Sequence, residues 1–213
     1  MYVAIEGVIG VGKTTLARLL QNSFNAEILL EVFEENPFLS DFYSDRERYA
    51  FQTQIFFLLS RYHQQRRTVQ DMLATGKNLI ADYTFAKDAL FARINLRGDE
   101  LDMYYRVHEA LAEKIEKPNL LVYLQASTDA LMQRIALRDR PYERQMERSY
   151  IHELNLAYHD FFSKPFDHTP VLTIETDHLN IIQNPEHLRW IENRIRQSLN
   201  MPPFQQTLPL TEA

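Results

Sequence analysis

The sequence predicts a three-layer α/β domain, a parallel sheet covered by helices on both faces, and three observations carry that reading. Five short apolar runs, often β-branched, recur at Tyr2–Glu6, Glu27–Phe33, Asn78–Asp82, Asn119–Gln125 and Val171–Glu175. Segments of helical periodicity separate each run from the next, the alternation expected of strands buried on both faces. With 213 residues and 45% hydrophobic content, the chain can bury one full core.

Taken in order, the first run leads straight into Gly7-Val8-Ile9-Gly10-Val11-Gly12-Lys13-Thr14, a G-x-x-x-x-G-K-T pattern holding three of the five glycines. Thr15-Leu16-Ala17-Arg18-Leu19-Leu20 then has helical spacing. In this strand–loop–helix context the pattern reads as a phosphate cradle rather than an ordinary glycine turn. Glycines allow successive N–H groups to turn inward around an anion, and the helix adds its positive dipole end. Lys13 is expected to reach the terminal phosphates of a nucleoside triphosphate, and Thr14 to hold a magnesium ion.

The second and third runs reach Glu31 and Asp82, acidic residues at the carboxyl edge of the sheet, where ligands of open α/β sheets collect. One suits proton abstraction from a hydroxyl, the other metal binding; solvated strand-end carboxylates are the plainer reading. The longest helix is predicted from Arg46 to Ala74, with Phe51, Ile55, Leu58, Leu59 and Tyr62 on one face and Gly76 closing it. On it, Gln54 and Arg61 are seven residues apart and point the same way. With Asp88 they form a set able to read a nucleobase edge, or else a buried structural network.

Further helices are expected at Ala86–Leu96, Glu100–Glu116, Thr128–Leu137, Glu147–Phe162 and Pro185–Leu199, the last opening on a proline suited to a first helical position. Arg134 and Arg138 share a helix face, and Arg140 follows where the helix gives way to a loop. Guanidiniums grouped in this way can close over a triphosphate; a salt-bridged face with Asp139 and Glu143 is the alternative. Residues 1–199 read as one domain, and residues 200–213, with Pro202, Pro203 and Pro209, as a loose tail.

Composition excludes several classes. Without cysteine there are no disulfides or thiolate metal sites, which fits a reducing cytoplasm. The first strand starts at the N-terminus, leaving no room for a targeting peptide. No apolar stretch approaches a bilayer span. A formal charge of −6 argues against a broad nucleic-acid surface and for a small substrate. No N-K-x-D guanine-reading sequence occurs, and the seven histidines form no strong metal motif.

Together these residues make the chain resemble the deoxyribonucleoside kinases, most closely the bacterial deoxyadenosine/deoxyguanosine kinase branch. The resemblance runs from the first strand to about Phe162. Its motifs are the phosphate loop, Glu31-Val32-Phe33-Glu34-Glu35-Asn36-Pro37-Phe38-Leu39, Gln54–Arg61, Asp82-Tyr83-Thr84 and Arg134–Arg144. It implies a P-loop kinase fold, a five-stranded parallel sheet flanked by helices with an Arg-rich lid, and a cytoplasmic homodimer packed through helices. It implies ATP as phosphoryl donor, Mg²⁺, and a deoxynucleoside acceptor whose 5′-hydroxyl gives its proton to Glu31.

On this resemblance Gly7, Gly10, Gly12, Lys13, Thr14 and Thr15 bind the donor with Arg138 and Arg140. Lys13, Arg134 and Arg138 join Glu31 in catalysis, and Thr14 with Asp82 organises the metal. Gln54, Arg61 and Asp88 face the base, while Tyr43 and Glu143 hold the sugar 3′-hydroxyl. Two departures stand out: Tyr83 replaces the family's arginine, which puts the charge balance around Glu31 in question, and Val32 replaces a proline. A nucleoside monophosphate kinase is the competing enzyme reading. It would need cations for the acceptor phosphate where this chain offers carboxylates. A silent nucleotide-binding subunit should have lost Lys13, Glu31 or the lid arginines, all of which are present.

Overall fold

The computed structural model describes residues 1–33, 35–164, 166 and 169–204. Strands β1 (Tyr2–Glu6), β2 (Ala26–Leu29), β3 (Asn78–Ala81), β4 (Leu120–Gln125) and β5 (Val171–Glu175) form one parallel sheet in the order β2-β3-β1-β4-β5. Successive strands are joined through helices α1 (Lys13–Leu20), α2 (Leu39–Ser44), α3 (Arg46–Ala74), α4 (Lys87–Asn95), α5 (Gly98–Ala112), α6 (Thr128–Arg138) and α7 (Arg148–Phe162). Helix α8 (Pro185–Ser198) follows the last strand.

Alternation along the strands builds a core on each face of the sheet. Val3, Ile5 and Ile80 point into one cluster with Leu16, Leu20 and Leu58. Tyr2, Ala4, Leu79 and Ala81 point into the other with Val69 of α3. β1 is buried at all five positions, as a central strand covered on both sides must be.

The five expected strands and the six expected helices after the phosphate loop are all found, with shifted ends. β2 stops at Leu29 and β3 at Ala81, short of the predicted Phe33 and Asp82. The reason is a change of hydrogen-bond partner: beyond Leu29, the Glu31 N–H donates to the Asp82 carboxylate (2.8 Å) instead of continuing a ladder. Glu31 and Asp82 therefore lie just past their strands. α5 begins at Gly98 and ends at Ala112, four residues before the predicted Glu116. The six-residue α2 has no sequence period to reveal it; buried Leu39 and Phe42 anchor it.

α3 starts and ends where its pattern predicts: the Asp45 carboxylate caps Arg48 N, and Gly76 (φ +71°) closes the helix by donating to the Leu73 carbonyl. Leu59, however, is 42% exposed rather than on the buried face. The buried face carries Thr53, Gln54, Arg61 and Gln65 besides Leu58 and Tyr62, and of these polar residues Arg61 lines a polar cleft. Residues 201–204 have no regular structure but are tied to α8, with Met201 N–H bonded to the Arg196 carbonyl and the Arg196 guanidinium over the Phe204 ring. The rest of the predicted tail, 205–213, lies outside the described residues, as do Glu34 and His168. No helix among the described residues is long and apolar enough to cross a membrane.

Candidate active site

The phosphate loop leaves the carboxyl end of β1, at the centre of the sheet, and enters α1. Gly7 (φ +149°) and Gly10 (φ +87°) adopt backbone conformations that side chains disfavour, and space forbids a side chain too. A Cβ on Gly7 would lie 2.5 Å from the Leu124 carbonyl oxygen, and one on Gly10 2.8 Å from Ile135. The loop is thus packed against β4 and α6 with its amides left to turn inward. Half-buried Lys13 arches back over the loop and donates to the carbonyls of Gly7 (2.6 Å) and Val8 (3.2 Å). Burial, and then the nearby Lys87 cation, push Lys13 down to about 8, against the pull of Glu6, Glu31 and Asp82.

Thr14 donates to the second oxygen of Asp82 at 2.5 Å, so the two expected magnesium ligands are neighbours. A hydroxyl and a carboxylate beside a phosphate loop are the hard oxygen donors that magnesium takes.

Glu31 lines the same cleft. Its Oε1 accepts from Arg61 Nε (2.8 Å) and NH2, and its Oε2 from Lys87 Nζ (2.6 Å). Burial alone would raise the Glu31 carboxyl, but these two bonded cations outweigh it and hold the group well below the usual carboxylate range. Arg61 also pairs through NH1 with fully buried Asp88, so one guanidinium bridges two carboxylates. Gln54 is buried, is not among the residues that line the cleft, and its Oε1 has no hydrogen-bond partner.

Tyr83, in place of the family arginine, is fully buried and bonds to Gln64 (2.6 Å), which in turn holds the Leu30 carbonyl. It braces the backbone beside Glu31. Lys87, four residues on, brings a positive charge to Glu31.

Over the cleft, Asp139 (φ +49°) ends α6 and turns the chain into a 3-10 turn at Pro141–Glu143. Arg138 forms a bidentate pair with buried Glu143 (Nη2 to Oε1 2.6 Å, Nε to Oε2 3.1 Å), and Arg140 lies 3.7 Å from the same carboxylate. Arg140 also stacks over Phe33, and Tyr142 packs between Phe33 and Tyr43. The cleft beneath encloses about 110 Å³. Tyr43, Glu143, Phe57 and Phe91 line it together with Lys13 and Glu31.

Arg134 departs from the expected cluster. It does not line this cleft, but donates to the hydroxyl and carbonyl of Thr176 (2.9 Å and 2.6 Å), anchoring α6 to the end of β5. It belongs instead to a second cavity of about 570 Å³ on the other side of the loop, shared with Gly12, Thr15, Arg138 and Asn180. One turn of helix separates two arginines with different partners: Arg134 holds Thr176, while Arg138 holds Glu143 and lines both cavities. The salt-bridged alternative for this segment is realised in part, through Arg138 and Arg140 on Glu143 and Arg144 on Asp139.

Two residues, Lys87 in the cleft and Glu6 beneath the phosphate loop, escape the sequence reading. Lys87 stands beside the quoted Asp88, and its signal is a lysine in the apolar stretch Phe85-Ala86-Lys87-Asp88-Ala89-Leu90. Glu6, fully buried at the end of β1, accepts from Gly7 N–H (3.2 Å), Thr84 N–H (2.6 Å), Thr84 hydroxyl (2.9 Å) and Tyr158 hydroxyl (3.2 Å). It fastens the phosphate loop to the segment after β3, and an acid closing a buried strand is its only sequence mark.

A parallel sheet of this order with a glycine phosphate loop at its centre is the P-loop kinase fold. A deoxyadenosine kinase from M. mycoides has the same fold, with a TM-score of 0.80 at 24% identity over 92% of this chain and 100% of that one. The deoxynucleoside kinase family profile matches residues 3–200. A deoxyguanosine kinase of Bacillus subtilis is 34% identical over 199 residues, 92% of this chain and 96% of that protein. A deoxyadenosine kinase of Dictyostelium discoideum is 33% identical over 81% of this chain and 71% of its own length. The chain belongs to the deoxynucleoside kinase family.

Proposed function

We propose that this chain transfers the γ-phosphoryl group of ATP to the 5′-hydroxyl of a purine deoxynucleoside, deoxyguanosine or deoxyadenosine, in nucleotide salvage. The carrying observation is one cleft in which an ionised Glu31 carboxylate faces Lys13 and the Thr14–Asp82 pair. The names of the Bacillus and Dictyostelium relatives support the purine. For the base, Arg61, held by Asp88, offers donors to a guanine O6/N7 edge, and the unpartnered Gln54 oxygen would suit the amino group of adenine once the cleft opens to reach it.

Glu31 takes the hydroxyl proton as the 5′-oxygen forms its bond to the γ-phosphorus. The bond from that phosphorus to the β,γ-bridging oxygen breaks, and its electron pair leaves with ADP. A weakly basic carboxylate suffices because phosphoryl transfer is loose, and positioning with charge stabilisation does most of the work. Lys13 and the loop amides hold the phosphates, and Arg138 moves from Glu143 toward the donor with Arg140. Arg134 orders the far side of the loop, where Thr15 faces the donor. Magnesium held by Thr14 and Asp82 supplies neutralising charge. Tyr43 and Glu143 take the 3′-hydroxyl. A cytoplasmic homodimer of residues 1–199 belongs to the same reading; absent cysteine supports the compartment, and exposed Leu59 and Met103 offer apolar helix surface.

A monophosphate acceptor fits poorly, since Glu31 and Glu143 would both face its phosphate. The deciding measurement is kcat/KM for the four natural deoxynucleosides with magnesium-ATP. A purine should lead; thymidine in first place overturns the purine assignment and the role of Asp88. Binding of ATP with no turnover of any of the four would point to a silent subunit.

A further inference from the structure

Lys87 is in an unfavourable place for a lysine. It is 4% exposed, and it is the first residue of α4, where the helix dipole opposes a positive charge. Neither helix stability nor solvation accounts for it there. Its ammonium lies 5.6 Å from the centre of the Tyr83 ring and 6.0 Å from that of Phe91, and it donates to Glu31 Oε2. An ammonium has three donors, and this bond uses one. The group lines the same cleft as the proposed base and the phosphate loop, and is near enough to Lys13 to depress its proton affinity.

Arg61 is differently placed, since Glu31 and Asp88 both hold it. When Glu31 takes up a proton, Arg61 keeps Asp88 as its counter-ion, whereas Lys87 loses the charge it was paired with. At the same moment negative charge arrives on the new phosphate ester. We propose that Lys87 is a catalytic cation: it holds Glu31 until the hydroxyl proton arrives, then bonds the transferred phosphoryl group. This rests on the kinase reading above. No further covalent change is involved, because the lysine keeps its protons and exchanges one hydrogen-bond acceptor for another.

The test compares Lys87→Met and Lys87→Arg with the wild type by calorimetry and kinetics, using deoxyguanosine, deoxyadenosine and their 5′-monophosphates. For Lys87→Met, monophosphate affinity should fall roughly 10- to 100-fold while nucleoside affinity stays within about threefold, the loss expected of one charge-assisted bond. Its kcat should fall roughly 100-fold, and Lys87→Arg should recover most of both losses. Equal loss of nucleoside and monophosphate affinity would make Lys87 merely structural and overturn the proposal, as would unchanged monophosphate affinity. A wild type that turns over neither nucleoside would defeat the purine-kinase reading instead, and the binding comparison would still judge Lys87.

Discussion

On the floor of the cleft, Arg61 bridges Glu31 and Asp88 with side chains 6%, 15% and 0% exposed. On the lid, Arg144 pairs with Asp139 with both side chains far more exposed, 62% and 59%. Between them, Arg138 is one-third exposed while its partner Glu143 is buried. Charges on the floor cannot be left unpaired, so they hold one another in fixed geometry before any substrate enters. Lid charges exchange their partners for water or phosphate at little cost. The floor is built to position and the lid to move, and the 110 Å³ left beneath the lid is well below the roughly 300–1,000 Å³ of ordinary ligand clefts. Arg140 and Tyr142 close the cleft over this space through their contacts on Phe33.

The sharpest break of this contrast is Arg61→Leu. It leaves Asp88 buried without its cation, and chemical denaturation should show a loss of about 3–5 kcal/mol. Arg61→Leu with Asp88→Leu should recover much of that stability but not activity; a double variant no more stable than the single one would show that the pair does not act as a unit. Next is Glu31→Gln, which keeps the shape and removes the base. Its kcat should fall roughly 100-fold with nucleoside affinity largely kept, and near-wild-type kcat would remove Glu31 from the chemistry.

Smaller is the effect at the junction of floor and lid. A 2′,3′-dideoxynucleoside leaves the partners of the 3′-hydroxyl, Tyr43 and Glu143, unpaired, a cost of about 1–3 kcal/mol, or roughly 5- to 150-fold in kcat/KM. Equal kcat/KM for deoxy and dideoxy substrates would refute that assignment. The smallest effect is protonic. Lys13, pushed down to about 8, is mostly neutral at pH 8.5, and triphosphate binding raises its proton affinity. ATP binding should then take up roughly half a proton or more at pH 8.5 and almost none at pH 6.5. Calorimetry in buffers of different ionisation enthalpy reads this directly, and Lys13→Met should abolish it.

The phosphate loop, the alternation of five strands with helices, and the 29-residue α3 were legible because each is local. A glycine spacing, a period of 3.6 and a closing Gly76 are properties of short stretches, and propensity acts on the same scale. The same locality made Arg134 and Arg138 look like one cluster. One turn apart on α6, they bond to different partners, Arg134 to Thr176 and Arg138 to Glu143, with the loop packed against the helix between them through Gly10 and Ile135.

By itself, the sequence determined which groups could do chemistry here: a lysine and threonine after glycines, two acids at strand ends, and arginines near a helix end. Only the tertiary structure decided their pairing. Whether Glu31 stays ionised depends on Arg61, 30 residues away, and Lys87, 56 residues away. Charge interactions depend on distance in space and on the water excluded between groups, neither of which is encoded along the chain. Lys87 is the clearest case. In sequence it is one lysine beside an aspartate, and it meets its carboxylate only once β3 has paired with β2 and brought α4 against the end of the second strand.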